Sequence, residues 1–153
     1  MNVVEVVDNL RRRKIVLALA ESCTGGAVAA TLTTVPGVSD VFAGSFVTYR
    51  DDSKRRWIGV DAEAIEAETS VSASVAHMMA RGALRQTPEA TKAISITGHL
   101  GPNAPAEQDG VAFIGIARGG NKVDVRRIEF NAKERSKRRE EAVAVMLETI
   151  AEL

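Results

Sequence analysis

Six residues, IVLALA at positions 15–20, constrain the fold of this 153-residue chain more than any other stretch. They are apolar on both faces, without the alternation of a strand that has one wet side, and so predict an interior strand of a parallel or mixed sheet flanked by helices. KAISIT (92–97) reads as another buried strand. VAFIGIARGGNKVDVRRIEF (111–130) reads as a hairpin turning at Gly119-Gly120-Asn121, its first strand central because it is apolar throughout. In the second strand Val123 and Val125 share one parity while Ile128 and Phe130 share the other, which predicts a bulge near Arg126-Arg127.

Between these runs the helical period takes over. Val3, Val6, Val7 and Leu10 fall on one helix face that ends near a basic RRRK. ESCTGGAVAATLTTVPG (21–37) opens with capping residues and stops at Pro36-Gly37, predicting a helix with Ser22 on the turn before it. GSFVTYR (44–50) is strand-like and DDSKRRWIGV (51–60) starts acidic, so Tyr49 and Lys54 straddle a second strand-to-helix junction. A helix capped by Ser72 buries Val75, Ala76, Met79 and Ala83, and a C-terminal helix buries Val143, Met146, Leu147 and Ile150. The predicted order, αβαβααβββα without repeat or linker, is a single α/β domain over 1–153 with a mixed sheet sandwiched between helices.

Charge and cysteine content narrow the function. Twenty basic and twenty acidic residues cancel, which removes the long-range attraction of a nucleic-acid or anionic-membrane binder and favours a small-molecule ligand. The N-terminal stretch lacks the apolar core and small-residue cleavage site of a signal peptide, and no segment has the length of a membrane span, so a cytoplasmic protein is expected. One cysteine forms no internal disulfide, and two distant histidines with that cysteine give no zinc spacing; no metal or cofactor is expected.

The residues that could carry chemistry sit at the two junctions and on one loop. Ser22, before a helix and after a buried strand, can present its hydroxyl to a cleft while first-turn N–H groups hold an anion. An ordinary helix cap is the competing reading. The glycine-to-lysine spacing of a Walker loop is absent. Of the two histidines, His77 lies on a helix face with Ser74 and Arg81 and reads as a surface residue. His99 follows Thr97-Gly98 on a loop, GHLGPNAPAEQDG (98–110), whose three glycines and two prolines bar regular structure. A lysine can replace histidine as the base when desolvated, and Lys54, beside Arg55 and Arg56, is the candidate. Cys23 is a second candidate nucleophile or a small packing residue. In KERSKRR (133–139), Arg135 and Arg139 are spaced i,i+4 and can reach one phosphate together, or form a solvated face.

Taken together, AESCTGG (20–26), VPG (35–37), VTY with a lysine five residues beyond the tyrosine, and TG..GP (97–102) resemble the CinA C-terminal domain family, the nicotinamide-nucleotide amidohydrolases, in order from about residue 14 to 150. The resemblance implies an α/β fold, a homo-oligomer (dimer or higher), and metal-free hydrolysis of the carboxamide of nicotinamide mononucleotide to nicotinate mononucleotide and ammonia. It implies that Ser22 is the nucleophile, Lys54 its partner base and Tyr49 the tyrosine at the same strand end. Amides at Cys23, Thr24 and Gly25 would hold the oxyanion, Thr97, Gly98 and His99 would line the substrate, and Arg135 and Arg139 would meet the phosphate. Three departures accompany it, the first being Gly44-Ser45 where the family has a glycine pair before the second strand. The loop reads TGHLGPNAPAEQDG where the family has TGIAGP and a glycine-rich stretch, which leaves open an amidohydrolase for another amide or nucleotide. Asp51, three residues before Lys54, is expected to favour the ammonium and raise the lysine pKa, which leaves open a weakly catalytic nucleotide-binding or regulatory protein.

Overall fold

The computed structural model describes residues 2–153. Five strands, β1 (Leu17–Glu21), β2 (Phe42–Val47), β3 (Lys92–Gly98), β4 (Val111–Ala117) and β5 (Val123–Glu129), form one mixed sheet in the order β2-β1-β3-β4-β5. β1 runs parallel to β2 and β3, whereas β3, β4 and β5 are antiparallel neighbours. Six helices cover it: α1 (Val3–Arg12), α2 (Ala27–Leu32), α3 (Asp51–Ile58), α4 (Ala62–Glu68), α5 (Ala73–Gln86) and α6 (Arg135–Ala151). None of these helices is long and apolar enough to cross a membrane.

The period-2 alternation of the strands divides the sheet into two unlike faces. Leu17, Leu19, Ile94, Ile96, Ile114 and Ile116 fill the space under α1, α2 and α6. The opposite face carries Ala18, Ala20, Ala93 and Ala117 and meets α5 and the end of α3. Small residues there let backbone approach backbone: a Cβ on Gly115 would stand 2.3 Å from the Ala76 carbonyl oxygen. That same carbonyl accepts the Ser95 hydroxyl at 2.6 Å, so the close approach leaves no buried polar group unpaired.

The structure departs from the sequence reading in four places. α4 was not expected, and the reason is its burial: none of its residues is fully buried, so it leaves no apolar stripe to read. α2 starts only at Ala27, because Gly25 and Gly26 adopt left-handed φ of 61° and 93° and hold the preceding residues in turns. His77 is half-buried rather than a free surface residue. The predicted bulge near Arg126-Arg127 is absent, and the β4–β5 register runs unbroken from Val111 opposite Glu129 to Ala117 opposite Val123. The parity change in β5 has another cause. Val123 packs on the small-residue face at one end of this edge strand, Ile128 on the leucine–isoleucine face at the other, and no inserted residue is needed.

Candidate active site

The C-terminal ends of the parallel strands β1 and β2 lie side by side, and both chains turn there. β1 ends at Glu21, and Ser22 donates its backbone N–H to Ile96 of β3, which fixes the residue at the sheet end with only 7% of its surface exposed. β2 leads through Thr48 and Tyr49 into α3. One turn into that helix, Lys54 projects back into the molecule and is 1% exposed.

Lys54 Nζ lies 3.0 Å from Ser22 Oγ, 2.9 Å from the Thr48 carbonyl oxygen and 3.4 Å from that of Tyr49. These three partners fit either protonation state. An ammonium donates to all three; a neutral amine gives two N–H groups to the carbonyls and turns its lone pair to the Ser22 hydroxyl. Burial lowers the Lys54 pKa from its ordinary value of 10.5, and the opposing pull of Asp51 is the smaller effect. The expectation that Asp51 would raise it is thereby corrected in its net sign: desolvation outweighs a carboxylate that sits exposed near the surface.

Glu21, which the sequence reading passed over, holds the turn together. Its fully buried carboxylate accepts five hydrogen bonds, from Thr24 Oγ1 at 2.7 Å, the backbone N–H groups of Gly26, Val28 and Ala29 at 3.0–3.1 Å, and Ser45 Oγ of β2 at 3.0 Å. The N-terminus of α2 is thus already occupied by a carboxylate from the protein. This revises which amides are free. Gly25 N–H donates to the Ser22 carbonyl, while the N–H groups of Cys23 and Thr24 take no acceptor among the described residues. A signal existed in the sequence: an acidic residue between a buried strand and a helix start is placed to meet that helix's N-terminus.

Cys23 packs in the core behind the serine, and burial pushes its thiol up to about 12, so it carries no thiolate near neutrality. Gly98 leaves room for it. A Cβ at that position would come within 2.6 Å of Ala112 Cβ and 3.2 Å of Cys23 Sγ. Thr97 is buried too, and its hydroxyl donates 2.7 Å to the Ser70 carbonyl.

Ser22, Lys54, Tyr49, Asp51, Ser70, Thr97, Gly98, His99 and Arg135 all line one cavity of about 250 Å³, together with loop residues Leu100 to Ala104. The Tyr49 hydroxyl faces away from Lys54: it accepts from Arg135 at 2.8 Å, and Arg135 also donates 2.6 Å to the Gly101 carbonyl. Beyond Tyr49 an adjoining groove is lined by Cys23, Thr24, Gly25, Tyr49, Arg135, Ser136 and Arg139, which brings the i,i+4 pair Arg135 and Arg139 to one surface. His99 is fastened into the loop, its Nε2 lying 3.1 Å from Gln108 Oε1 and its backbone pairing with Gly110 and Val111.

A second residue pair was missed by sequence reasoning. Arg138 is 2% exposed and binds both Asp109 oxygens, at 2.6 and 2.8 Å, as well as the carbonyls of Ala132 (2.9 Å) and Leu100 (3.3 Å). It anchors both ends of the 98–110 loop to α6. The guanidinium hydrogen-bonded to Asp109 holds that carboxyl below its usual range, and the same bond raises Arg138 further above its own. The sign of this role lies in the helical stripe: stepping back by four from Met146 and Ala142 leads to Arg138, whereas the run KERSKRR drew the eye to the i,i+4 pair on either side.

Known proteins resemble this chain in sequence and fold. The CinA C-terminal domain model matches residues 2–153. A CinA-like protein of Myxococcus xanthus is 41% identical over 109 residues, 71% of this chain and 26% of that protein, and one of Chlorobaculum tepidum is 45% identical over 114 residues, 73% and 27% respectively. The chain spans about a quarter of the length of these curated relatives. Among solved structures, the competence/damage inducible protein CihA of Agrobacterium tumefaciens superposes with a TM-score of 0.89 at 32% identity, covering 97% of this chain and 90% of that one. A CinA superfamily protein of Klebsiella pneumoniae gives 0.90 at 27% identity, covering 98% and 93%. With a match over its whole described length and relatives above 40% identity, this chain belongs to the CinA C-terminal domain family.

Proposed function

We propose that the protein hydrolyses the carboxamide of nicotinamide mononucleotide to nicotinate mononucleotide and ammonia, with Ser22 as nucleophile and Lys54 as its base. The observation that carries this reading is the buried Lys54 Nζ 3.0 Å from Ser22 Oγ, with two backbone carbonyls at its other hydrogens and its pKa lowered by desolvation. A lysine so placed meets the two demands on a general base, reach and reduced proton affinity.

In the first half-reaction the Ser22 proton passes to Lys54 as Oγ adds to the amide carbon. The Cys23 and Thr24 N–H groups receive the oxyanion, since they are the donors of the turn without an acceptor among the described residues. Collapse breaks the C–N bond, and the Lys54 ammonium returns its proton to the departing nitrogen, which leaves as ammonia. Water, deprotonated by the same lysine, then adds to the Ser22 ester and releases the carboxylic acid with Ser22 restored. Arg135 and Arg139, on the groove next to the cavity, are positioned for the phosphate.

Ammonia release from nicotinamide mononucleotide by the purified protein tests the reading. Ser22→Ala and Lys54→Ala should each abolish it, and Cys23→Ala should retain it; loss confined to the cysteine variant would overturn the assignment of nucleophile. A second reading, hydrolysis of a different amide or nucleotide, is favoured by His99 and Gln108 on the cavity loop. A panel of amides and pyridine nucleotides assayed for ammonia separates the two.

A further inference from the structure

Two hydrogen-bonded groups of opposite charge line the cavity beside Ser22. In one, Thr97 donates to the Ser70 carbonyl, the Ser70 hydroxyl donates to Asp51, and Asp51 stands one turn before Lys54 on α3. In the other, Arg135 spans Tyr49 and Gly101. We propose that Asp51 selects the charge of the substrate, pairing with a cationic ring held beside Ser22 while the arginines take an anionic group at the far end. The inference rests on the amide-hydrolysis reading and goes beyond it by naming the residue that prefers a pyridinium over a neutral ring.

Three observations support it. First, Asp51 has no Lys, Arg or His nitrogen within ion-pair distance among the described residues, whereas its neighbour Asp52 is met by Arg56 at 3.1 Å and Arg55 at 4.0 Å. Second, helix capping does not account for it. The start of α3 is served by Ser53, whose hydroxyl accepts from Arg50 N at 3.2 Å, and by Asp52 in the same first turn; Asp51 is the one of the two acids that lines the Ser22 cavity. Third, Lys54, which shares α3 with it, must be neutral when it accepts the serine proton, and Arg135, the other Lys or Arg lining the cavity, is engaged with Tyr49 and Gly101. Before the serine proton is transferred, Asp51 therefore has no cation within ion-pair distance among the described residues. A cationic ring supplies one, a neutral ring leaves it unmatched, and an anionic ring is repelled. For a partly exposed pair the preference should be about tenfold, between the limits of a fully screened and a buried interaction.

The test uses the full chain carrying Ser22→Ala, so that ligands bind without turnover. Nicotinamide mononucleotide, with its pyridinium ring, and its 1,4-dihydro form, with a neutral ring and the same phosphate, are titrated by calorimetry. The cationic form should bind about tenfold more tightly. Adding Asp51→Asn, which keeps an acceptor for Ser70, should shrink that gap to about twofold by weakening the cationic ligand alone. Asp52→Asn removes an equal charge outside the cavity and should leave the gap intact. An Asp51→Asn protein with an unchanged gap, or an Asp52→Asn protein that loses it equally, overturns the role of Asp51. Failure of the unaltered protein to release ammonia from nicotinamide mononucleotide overturns the underlying reading, and this inference with it.

Discussion

Two cations lie almost wholly out of water in this small protein, and they are treated in opposite ways. Arg138, 2% exposed, is matched by a bidentate carboxylate and two carbonyls, and its proton is held more tightly than usual. Lys54, 1% exposed, meets two carbonyls and a hydroxyl, no carboxylate touches it, and its proton is held less tightly. Burying a charge is costly in both places. At Arg138 the cost is offset by Asp109 and the result is a clamp. At Lys54 it is left standing, which is what the proposed role as a base requires and what sets this lysine apart from a structural ion when sequence labels both simply as basic.

Removing each cation should break this contrast in different ways. The largest effect expected is on turnover in Lys54→Met: ammonia release falls by on the order of a thousandfold or more, while the melting temperature holds or rises, because no carboxylate is left buried without a partner. A clear fall in melting temperature would make Lys54 a structural residue. Arg138→Met should do the reverse. It strands the Leu100 and Ala132 carbonyls and frees the 98–110 loop, costing about 2–3 kcal/mol, read as a lower urea midpoint, while turnover falls about tenfold and mainly through KM.

The pH dependences sharpen the same contrast with smaller effects. Asp109 is depressed, so its contribution to stability is complete above the unfolded carboxylate range near pH 4 and is lost as pH falls through its folded value. Asp109→Asn should therefore flatten the acid limb of a stability–pH curve. Lys54 is also depressed, but as a cation. Between its folded value and 10.5 the unfolded chain binds the extra proton, so stability rises with pH across that window, and Lys54→Met should lack that rise. Smallest of all is Cys23→Ala, for which ammonia release should change by less than about threefold, since a thiol raised to about 12 contributes no anion.

Which parts of this were legible in the sequence follows from the kind of signal each leaves. The interior strands were readable because residues buried on both faces have no polar alternation, and Val75, Ala76, Met79 and Ala83 were readable because they repeat at helical spacing. Ser22, Lys54 and Thr97 were found, and the structure brings all three to one cavity. Glu21 and Arg138 were not. Glu21 meets four of its five donors within eight residues, marked only by an acid standing before a helix start, whereas Arg138 bonds Asp109, 29 positions away, a pairing that leaves no local pattern beyond the helical stripe. The sign of the Lys54 shift was misread for a related cause: spacing reveals a neighbouring charge, but burial depth depends on the whole fold.

The five donors gathered by Glu21 have a consequence for the electric field at Ser22, the proposed nucleophile. A strand-turn-helix nucleophile ordinarily sits at the positive end of its helix, where the field favours the developing anion. Here that end is already discharged by an internal carboxylate, and α2 is only six residues long. The carboxylate outweighs the half-charge of so short a helix and, after burial, its charge helps to raise the neighbouring Cys23 thiol. The turn adds little positive field, and the charges around Ser22 are a few point sources, Glu21 behind it, two backbone N–H groups, Lys54, Asp51 and Arg135. A site run by so few charges can be retuned one residue at a time, without rebuilding the scaffold that holds it.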